Sequence, residues 1–529
     1  MSTVTGSNPS PRQGASLFVR NATGLVRELS PFDAFNLVFS AVLIPVGITQ
    51  VLSFAPTFWP HANVLLSFLF SLPLVLCFGL VYLYFTVAMP RSGGDYVWVS
   101  RVLGPGIGFL TNLSLTFVFT TWISFNFTTM MTLLVPSLAY VAGFTWNPSL
   151  LTQFLLATVL TIAFAGLMVL GTRRVARYMT ITFAIVWVGM FIWLIGLAFT
   201  GHDAFVANFN AHSGMTINQV TSAAAKAGYS SGNGIDWAGT LFAMIYAFQV
   251  FTGFQWTGYF AGEIKNVRRT AITSIMGALV ISAVLYVLAT LLVYTTYGFS
   301  TFGSLAYLGF NTPNSPLAFA PYLPSLVKFL SLPGFLQVFV AACFVLSVLW
   351  WTPTGFLIAT RNLFAWSFDR LAPARVAEVN DQLHTPVVAT IVVALWVEIL
   401  NYLNIYQGLS ALLINVIAVM ALAFVAVALA AIVMPFLRPS LFESAPAMVR
   451  ARIAGVPWLT ITGVVMLLSW AFVLYVAFTT TAFGQVAPQS MIEAFAVPVL
   501  GIVYYVIVRF VRARQGIQLK AAFQEIPPE

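Results

Sequence analysis

The feature that most constrains this sequence is its succession of long apolar runs. After a polar segment, residues 1–32, about twelve runs follow, each long enough to cross the hydrocarbon core of a bilayer as a helix. Charged residues make up only 7% of the 529 residues, and the mean hydropathy is +0.93. Soluble domains carry about 25% charged residues, so the composition excludes an ordinary soluble enzyme and a disordered chain. The sequence predicts an all-α integral membrane protein with about 12 transmembrane helices.

The positions of the basic residues predict the orientation of these spans. Of the 23 lysines and arginines, only Lys226 and Lys328 fall in loops on one side of the predicted membrane, and the others flank the spans on the opposite side. Because cytoplasmic loops carry an excess of lysine and arginine, we expect a multi-pass protein of the cytoplasmic (plasma) membrane with both termini cytoplasmic. This distribution of basic residues also explains the net charge of +9. The expected partner is therefore the lipid bilayer, and no nucleic acid is expected.

The spans and loops divide the chain into six predicted segments. These are a cytoplasmic N-terminal tail 1–32, spans 1–5 in 33–200, an extracellular loop 201–237, spans 6–10 in 238–437 with a second extracellular loop at about 298–331, spans 11–12 in 438–511, and a cytoplasmic C-terminal tail 512–529. The two extracellular loops are long and rich in Gly, Ser, Asn and Pro, and we expect short helices in them over an external opening.

Two predicted spans contain residues that interrupt a helix near the middle of the membrane. Span 1 carries Pro45 and Gly47, and span 6 carries Gly253 among amide and hydroxyl side chains. Interrupted helices five spans apart indicate a transporter site between inverted repeats, although a simple proline kink in span 1 is an open alternative. The predicted substrate-binding residues of the two breaks are Ile44, Pro45, Val46, Gly47, Ile48, Phe248, Gln249, Phe251, Thr252, Gly253, Phe254 and Gln255.

Neighbouring spans supply the predicted walls and the candidates for ion coupling. Trp122 and Asn126 of span 3 and Trp351 of span 8 are the expected walls. Hydroxyls of Thr352 and Thr354, with backbone carbonyls near Leu43 and Pro45, form a possible sodium site, since hard cations prefer oxygen ligands. Glu398 in span 9 is the one carboxylate well inside a span, and such acids are candidates for function or for pairing with polar neighbours.

Three stretches of sequence resemble the amino acid–polyamine–organocation (APC) superfamily, prokaryotic amino acid permease type. They are Met89–Val97 between spans 2 and 3, residues 251–269 through the end of span 6, and residues 360–373 after span 8. The resemblance implies a five-plus-five inverted-repeat (leucine-transporter-like) fold plus two C-terminal helices. It also implies alternating access, with a substrate carboxylate bound by backbone amides of span 1 and its amino group by carbonyls of spans 1 and 6.

The sequence departs from the family pattern at three places. Pro45 stands where the family usually has a glycine, and it has no N–H to offer a carboxylate. Gln255 stands where the family has a glutamate, and an amide cannot carry a proton as a carboxylate can. The predicted fifth span, 175–200, has no lysine, which some proton-coupled members place there.

Three classes of function compete for this chain. An amino acid or small organic amine transporter agrees with the breaks and with the resemblance. An enzyme is not expected, because the four histidines, His61, His202, His212 and His384, are scattered outside the spans and form no metal or nucleophile cluster. A substrate-binding sensor or non-transporting receptor of the same fold is the alternative. No cofactor is expected beyond a coupling ion, either sodium or a proton, and exchange or facilitation without an ion is the remaining alternative.

The predicted orientation leads to a labelling experiment. A cysteine introduced at Ser315 should react with an impermeant thiol reagent added outside intact cells, whereas a cysteine at Ser92 should not. External labelling at Ser92 would overturn the orientation.

Overall fold

Twelve helices that are long and apolar enough to cross a membrane occur in the described part of the chain. The structure is a computed structural model, and it describes residues 27–229, 234–311, 315–380, 382–383, 385–408, 413–480, 488–517, 519 and 523. Each of these helices overlaps a predicted span, so the prediction of an all-α protein with twelve spans is confirmed. Most of both predicted tails lies outside the described residues.

The spans follow one another along the chain, and the connection between spans 7 and 8, from Tyr297 to Gly334, is the longest in the described part of the chain. Their bounds are span 1a, Pro31–Val42, and span 1b, Ile44–Phe58; span 2, Val64–Ala88; span 3, Pro105–Thr129, continued by Met130–Leu134 and Val135–Ala142; span 4, Leu150–Val169; span 5, Thr172–His212; span 6a, Trp237–Phe242 and Met244–Phe251, and span 6b, Phe254–Glu263; span 7, Val267–Ala271, Ile272–Met276 and Gly277–Tyr297; span 8, Gly334–Phe368; span 9, Val387–Gln407; span 10, Leu413–Leu437; span 11, Trp458–Thr479; span 12, Pro488–Arg514.

Shorter elements lie in the connections between the spans. They are the helices Asp95–Val102, Ile217–Lys226, Phe299–Asn311, Leu323–Leu326, Val327–Phe329, Ala374–Ala377 and Pro439–Ser444, and an antiparallel pair of two-residue strands, Arg452–Ile453 and Val456–Pro457. Within loop 201–237, the helix of span 5 continues past a bend at Gly201 (φ 67°, ψ 163°). Asn311 Nδ2 donates to the Thr57 carbonyl at 3.2 Å, so the helix Phe299–Asn311 is tied to the end of span 1b.

Burial separates the central spans from the peripheral ones. The most apolar 18-residue windows of spans 1, 3 and 6 are 89%, 72% and 72% buried, whereas those of spans 4 and 12 are 17% and 11% buried. Leu155, Val159 and Ile162 of span 4 are exposed and form part of an apolar outer face suited to lipid tails. The two interrupted spans are therefore enclosed by protein, which is the condition for an irregular backbone at membrane depth.

The two sides of the molecule differ in charge. We call the side that holds the connections 89–104, 264–266 and 369–386 the basic side, because the lysines and arginines of the described residues, apart from Lys226 and Lys328, flank the spans there. Span 1a begins on this side. Its first turn is stabilised by a capping box, in which the Ser30 hydroxyl accepts from the Asp33 amide at 3.2 Å and the Asp33 carboxylate accepts from the Ser30 amide at 3.0 Å.

Candidate functional site

The helix of span 1 is interrupted at one residue. Leu43 adopts the left-handed conformation (φ 46°, ψ 51°), which a branched side chain rarely occupies. Pro45 follows two residues later and has no N–H, so the Ala41 carbonyl lacks the donor that a continuous helix would supply. The helix restarts at once, with the Gly47 amide donating to the Leu43 carbonyl at 2.8 Å. Span 1 is thus two helices and not one kinked helix.

Span 6 is interrupted at Thr252 and Gly253. Gly253 has φ 131° and ψ −40°, a conformation that only glycine adopts without strain. The Gln255 side chain returns to the break, where its Oε1 accepts from the Gly253 amide at 2.7 Å. A Cβ atom at Gly253 would lie 2.5–2.7 Å from the backbone of Ala41 and Val42. The two breaks are therefore in direct backbone contact, and this contact explains the glycine.

A tyrosine of span 7 joins the two breaks. The Tyr286 hydroxyl lies 3.0 Å from the Val42 carbonyl of span 1a and 3.3 Å from the Val250 carbonyl of span 6a, so one O–H is shared between two helix ends. Gly47 leaves room for this hydroxyl, because a Cβ atom there would overlap it. Tyr286 is a positioning residue that holds spans 1 and 6 in register.

A cavity opens beside the two breaks. The volume of the cavity, including the part that is open to solvent, is about 430 Å³. It is lined by Ala41, Val42, Leu43, Val46, Gly47, Gln50, Trp122, Phe125, Asn126, Gln249, Val250, Thr252 and Trp351. None of these lining residues has an ionisable side chain. Their polar groups are three side-chain amides, one hydroxyl, the indole N–H groups of two tryptophans and the backbone at the breaks.

The structure brings together part of the predicted site. The predicted residues that line the cavity are Leu43, Val46, Gly47, Trp122, Asn126, Gln249, Thr252 and Trp351; those that do not are Ile44, Pro45, Ile48, Phe248, Phe251, Gly253, Phe254 and Gln255. The aromatic members of the second group pack between helices. Phe251 contacts Phe68 and Tyr286, and Phe254 contacts Phe78.

Five lining residues were not predicted: Ala41, Val42, Gln50, Phe125 and Val250. Helical spacing contains a signal for two of them. Phe125 is three residues after Trp122, and Gln50 is three residues after Gly47, so each shares a helix face with a predicted residue. Tyr286 has no such signal, because its partners are on other spans.

The two hydroxyl candidates for ion coupling have different surroundings. The Thr354 hydroxyl lies 2.9 Å from the Ser40 hydroxyl and 3.4 Å from the Leu37 carbonyl, so it faces span 1a. The Thr352 hydroxyl donates to the Val348 carbonyl of its own helix at 2.8 Å. The oxygen cluster beside span 1 therefore consists of Thr354, Ser40 and Leu37, and it lies below the Leu43 break.

Glu398 lies between spans 9 and 4, away from the cavity. Its carboxylate accepts from the Thr158 hydroxyl and, at 3.2 Å, from Asn401 Nδ2. Asn401 also donates to the Thr161 hydroxyl at 3.0 Å. The carboxylate thus belongs to a polar contact between two peripheral helices.

The basic side is closed beneath the cavity. Arg361 of span 8 binds Glu263 at the end of span 6b through two hydrogen bonds of 2.6 and 2.8 Å, and both side chains are about 2% exposed. The Leu29 amide donates to the Glu263 carbonyl at 3.1 Å, which ties the start of span 1a to the same point. Spans 1a, 6b and 8 are therefore fastened together on this side.

Comparison with known proteins identifies the family. A sequence model of the family described as amino acid permease matches residues 40–520. The chain therefore belongs to the amino acid permease family, and it is an amino acid transporter in general terms. A search among curated proteins gives no match.

The contact between the breaks predicts the effect of a bulky residue at Gly253. Gly253→Leu should lower the thermal stability and abolish ligand binding, because overpacking typically costs about 1–3 kcal/mol and this position adds an unfavourable φ. Gly166→Leu is the matched control, since Gly166 has no heavy atom within 4 Å of the added Cβ. Equal melting temperature and ligand affinity in the two variants would contradict the proposed contact.

Proposed function

We propose that this permease is a secondary active transporter that moves an amino acid with an uncharged side chain, or a related small organic amine, across the cytoplasmic membrane by alternating access. The observation that carries the proposal is the cavity at the meeting point of two interrupted spans, lined entirely by uncharged side chains. A charged substrate side chain would find no counter-charge there, and burying such a charge unpaired is costly.

The backbone at the breaks suits the two charged ends of a zwitterion. The N–H groups of Ile44 and Val46 lie in the first turn of span 1b, where a helix has no internal acceptors for them. A substrate carboxylate would bind there, and Pro45 reduces the number of donors by one. The ammonium group would bind carbonyls at the ends of spans 1a and 6a, since helix C-termini attract cations.

The side-chain part of the cavity favours an apolar or aromatic substituent. Trp122, Phe125 and Trp351 supply aromatic surface, while Asn126 and Gln249 supply amides that can orient a neutral polar group. Aromatic side chains bury large apolar areas and so contribute strongly to ligand binding. We therefore expect the larger neutral amino acids to bind more tightly than small or charged ones.

The closed basic side supports alternating access. The cavity is open at its mouth, while spans 1a, 6b and 8 are fastened beneath it by the ion pair of Glu263 and Arg361. Transport in this scheme requires the contacts between spans 1a, 6b and 8 to break when the mouth of the cavity closes. The inverted repeats would be spans 1–5, within 33–200, and spans 6–10, within 238–437.

A thermal-shift screen of purified protein tests the substrate class. Neutral amino acids should raise the melting temperature, because a ligand that binds only the folded state stabilises it, whereas aspartate, glutamate, lysine and arginine should not. Asn126→Ala should weaken binding about 2–10-fold through a lost hydrogen bond. Leu468→Ala, at an exposed position of span 11, is the control.

Two results would contradict this proposal. Stabilisation by charged amino acids alone would exclude the uncharged-substrate class. Binding without counterflow of labelled substrate in proteoliposomes would favour the alternative, a sensor or non-transporting receptor.

We further propose sodium as the coupling ion. The Thr354 hydroxyl, the Ser40 hydroxyl and the Leu37 carbonyl place three oxygens together beside span 1a. A cation bound there would hold span 1a against span 8 and so favour the conformation that is closed on the basic side.

Sodium coupling predicts reciprocal effects on binding. Sodium should tighten substrate binding about 5–150-fold, which is the usual range of coupling between two sites. Thr354→Val should remove this effect, and Thr352→Val should retain it, because the Thr352 hydroxyl is bonded within its own helix. The measurement is substrate affinity in sodium and choline buffers at equal ionic strength.

Equal substrate affinity of the parent protein in the sodium and choline buffers would exclude sodium coupling. Uptake by a Glu398→Gln variant at several pH values would then test Glu398, the carboxylate predicted to lie well inside a span, as a proton carrier.

A further inference from the structure

Asp95 is a fully buried carboxylate on the basic side. It begins the helix Asp95–Val102 between spans 2 and 3, and its relative exposure is 0%. Two glycines allow the preceding loop to enter the protein. A Cβ atom at Gly93 (φ 106°) would lie 2.6 Å from the side chain of Ala365, and one at Gly94 (φ 51°) would lie 3.0 Å from the Tyr259 ring. The loop therefore packs closely between spans 8 and 6b.

Three different spans donate hydrogen bonds to this carboxylate. Asn112 of span 3 donates to Oδ1 at 2.6 Å, Tyr82 of span 2 donates to Oδ2 at 3.2 Å, and the Tyr259 hydroxyl of span 6b also donates to Oδ2. The backbone adds a further contact, because the Gly93 amide donates to the Tyr259 carbonyl at 3.0 Å. Asp95 thus connects span 6b, one of the elements that closes the basic side, to spans 2 and 3.

No positive charge compensates Asp95 among the described residues. On its own helix, Arg101 is paired with Asp369 at 2.7 Å, and Tyr96 is neutral. On span 6b, Glu263 is paired with Arg361 of span 8. The other titratable groups facing Asp95 are the two tyrosines that donate to it, and neither Pro105–Thr129 of span 3 nor Leu413–Leu437 of span 10 contains an ionisable side chain.

Burial is the main influence on this carboxylate. It raises the pKa of Asp95 to about 6, although the hydrogen bonds from Tyr259, Asn112, Tyr82 and the Tyr96 backbone act in the opposite direction. In water an aspartate has a pKa of about 3.9. Separation of spans 2, 3 and 6b would admit water to the carboxylate and return its pKa toward that value.

We propose that Asp95 is a proton-binding latch, which ties spans 2, 3 and 6b together and which tightens when it takes up a proton from the cytoplasm. The proposal rests on the alternating access proposed above. A protonated Asp95 remains a hydrogen-bond partner for the three side chains and no longer has a buried charge. An ionised Asp95 gains hydration when the basic side opens, so it favours opening.

The sign of the pH effect follows from linkage. The closed state has the higher Asp95 pKa and so binds the proton more tightly, which means that acid favours closure. With pKa values of about 6 closed and about 3.9 open, the ratio of closed to open protein should rise about tenfold between pH 7.5 and pH 5. The direction is opposite to that of a carboxylate stabilised by an ion pair.

A cysteine buried behind span 6b can report the opening. The Ser274 hydroxyl lies 2.7 Å from that of Thr257 on span 6b, and Ser274 is fully buried. Ser274→Cys is introduced into the full chain with Cys77 and Cys343 changed to alanine. The rate of its alkylation by an impermeant maleimide is measured in inside-out vesicles from pH 5 to pH 8. This rate is divided by the alkylation rate of Ser444→Cys at the same pH. Ser444 is exposed, so the division removes the pH dependence of the thiol reaction itself.

The latch predicts that the corrected labelling rate falls about tenfold from pH 7.5 to pH 5 in the parent. Asp95→Asn should show a low rate without this pH dependence, and Glu443→Gln, at an exposed carboxylate on the same side, should keep it. Tyr259→Phe removes a donor to the ionised form, so its midpoint should move to higher pH. This variant decides the question if Asp95→Asn does not fold.

Three outcomes would overturn the latch: a parent without pH-dependent labelling, a dependence that persists in Asp95→Asn, or an unchanged midpoint in Tyr259→Phe. Substrate stabilisation and counterflow are measured on the same parent protein. Transport without pH-dependent labelling overturns the latch alone, and pH-dependent labelling without transport overturns the transport proposal alone.

Discussion

A backbone that is interrupted inside a bilayer must find its hydrogen-bond partners within the protein, and this constraint organises the centre of the molecule. The Gln255 side chain accepts from the Gly253 amide, and the Tyr286 hydroxyl is shared by the carbonyls of Val42 and Val250. Each unpaired group would cost several kcal/mol in hydrocarbon. Spans 1 and 6 therefore have to meet each other and to be surrounded by the other spans, which is the arrangement that the burial of the helices describes.

The same constraint gives the cavity its chemistry. Helix ends carry partial charges that come from the backbone and need no ionisable side chain, so the cavity is electrically polarised while all its side chains are neutral. A zwitterion that bridged the ends of spans 1a, 1b and 6a would interact with both interrupted helices at once. Its binding energy would then depend on the relative position of the two spans, which is the requirement for a ligand to shift a conformational equilibrium.

The sequence was informative where a residue type has one physical consequence. Pro45 and Gly253 located both breaks, and the apolar runs located all twelve spans. It was uninformative about helix rotation, because spans that are apolar all round do not reveal which face is inward. For this reason the prediction included Ile44 and Ile48, which do not line the cavity, together with Val46 and Gly47, which do. Tyr286 lies 244 residues from one of its partners, and that pairing exists only in the folded chain.

The closed basic side combines two buried carboxylates in different electrostatic conditions. Glu263 has a full counter-charge in Arg361, and removal of one partner from a buried ion pair typically costs about 3–5 kcal/mol. Asp95 has only neutral donors. Both act on span 6b, in which Tyr259 and Glu263 are four residues apart. Since the ion pair holds the closed state in either protonation state of Asp95, loss of the proton from Asp95 lowers the free energy of opening and does not by itself open the protein.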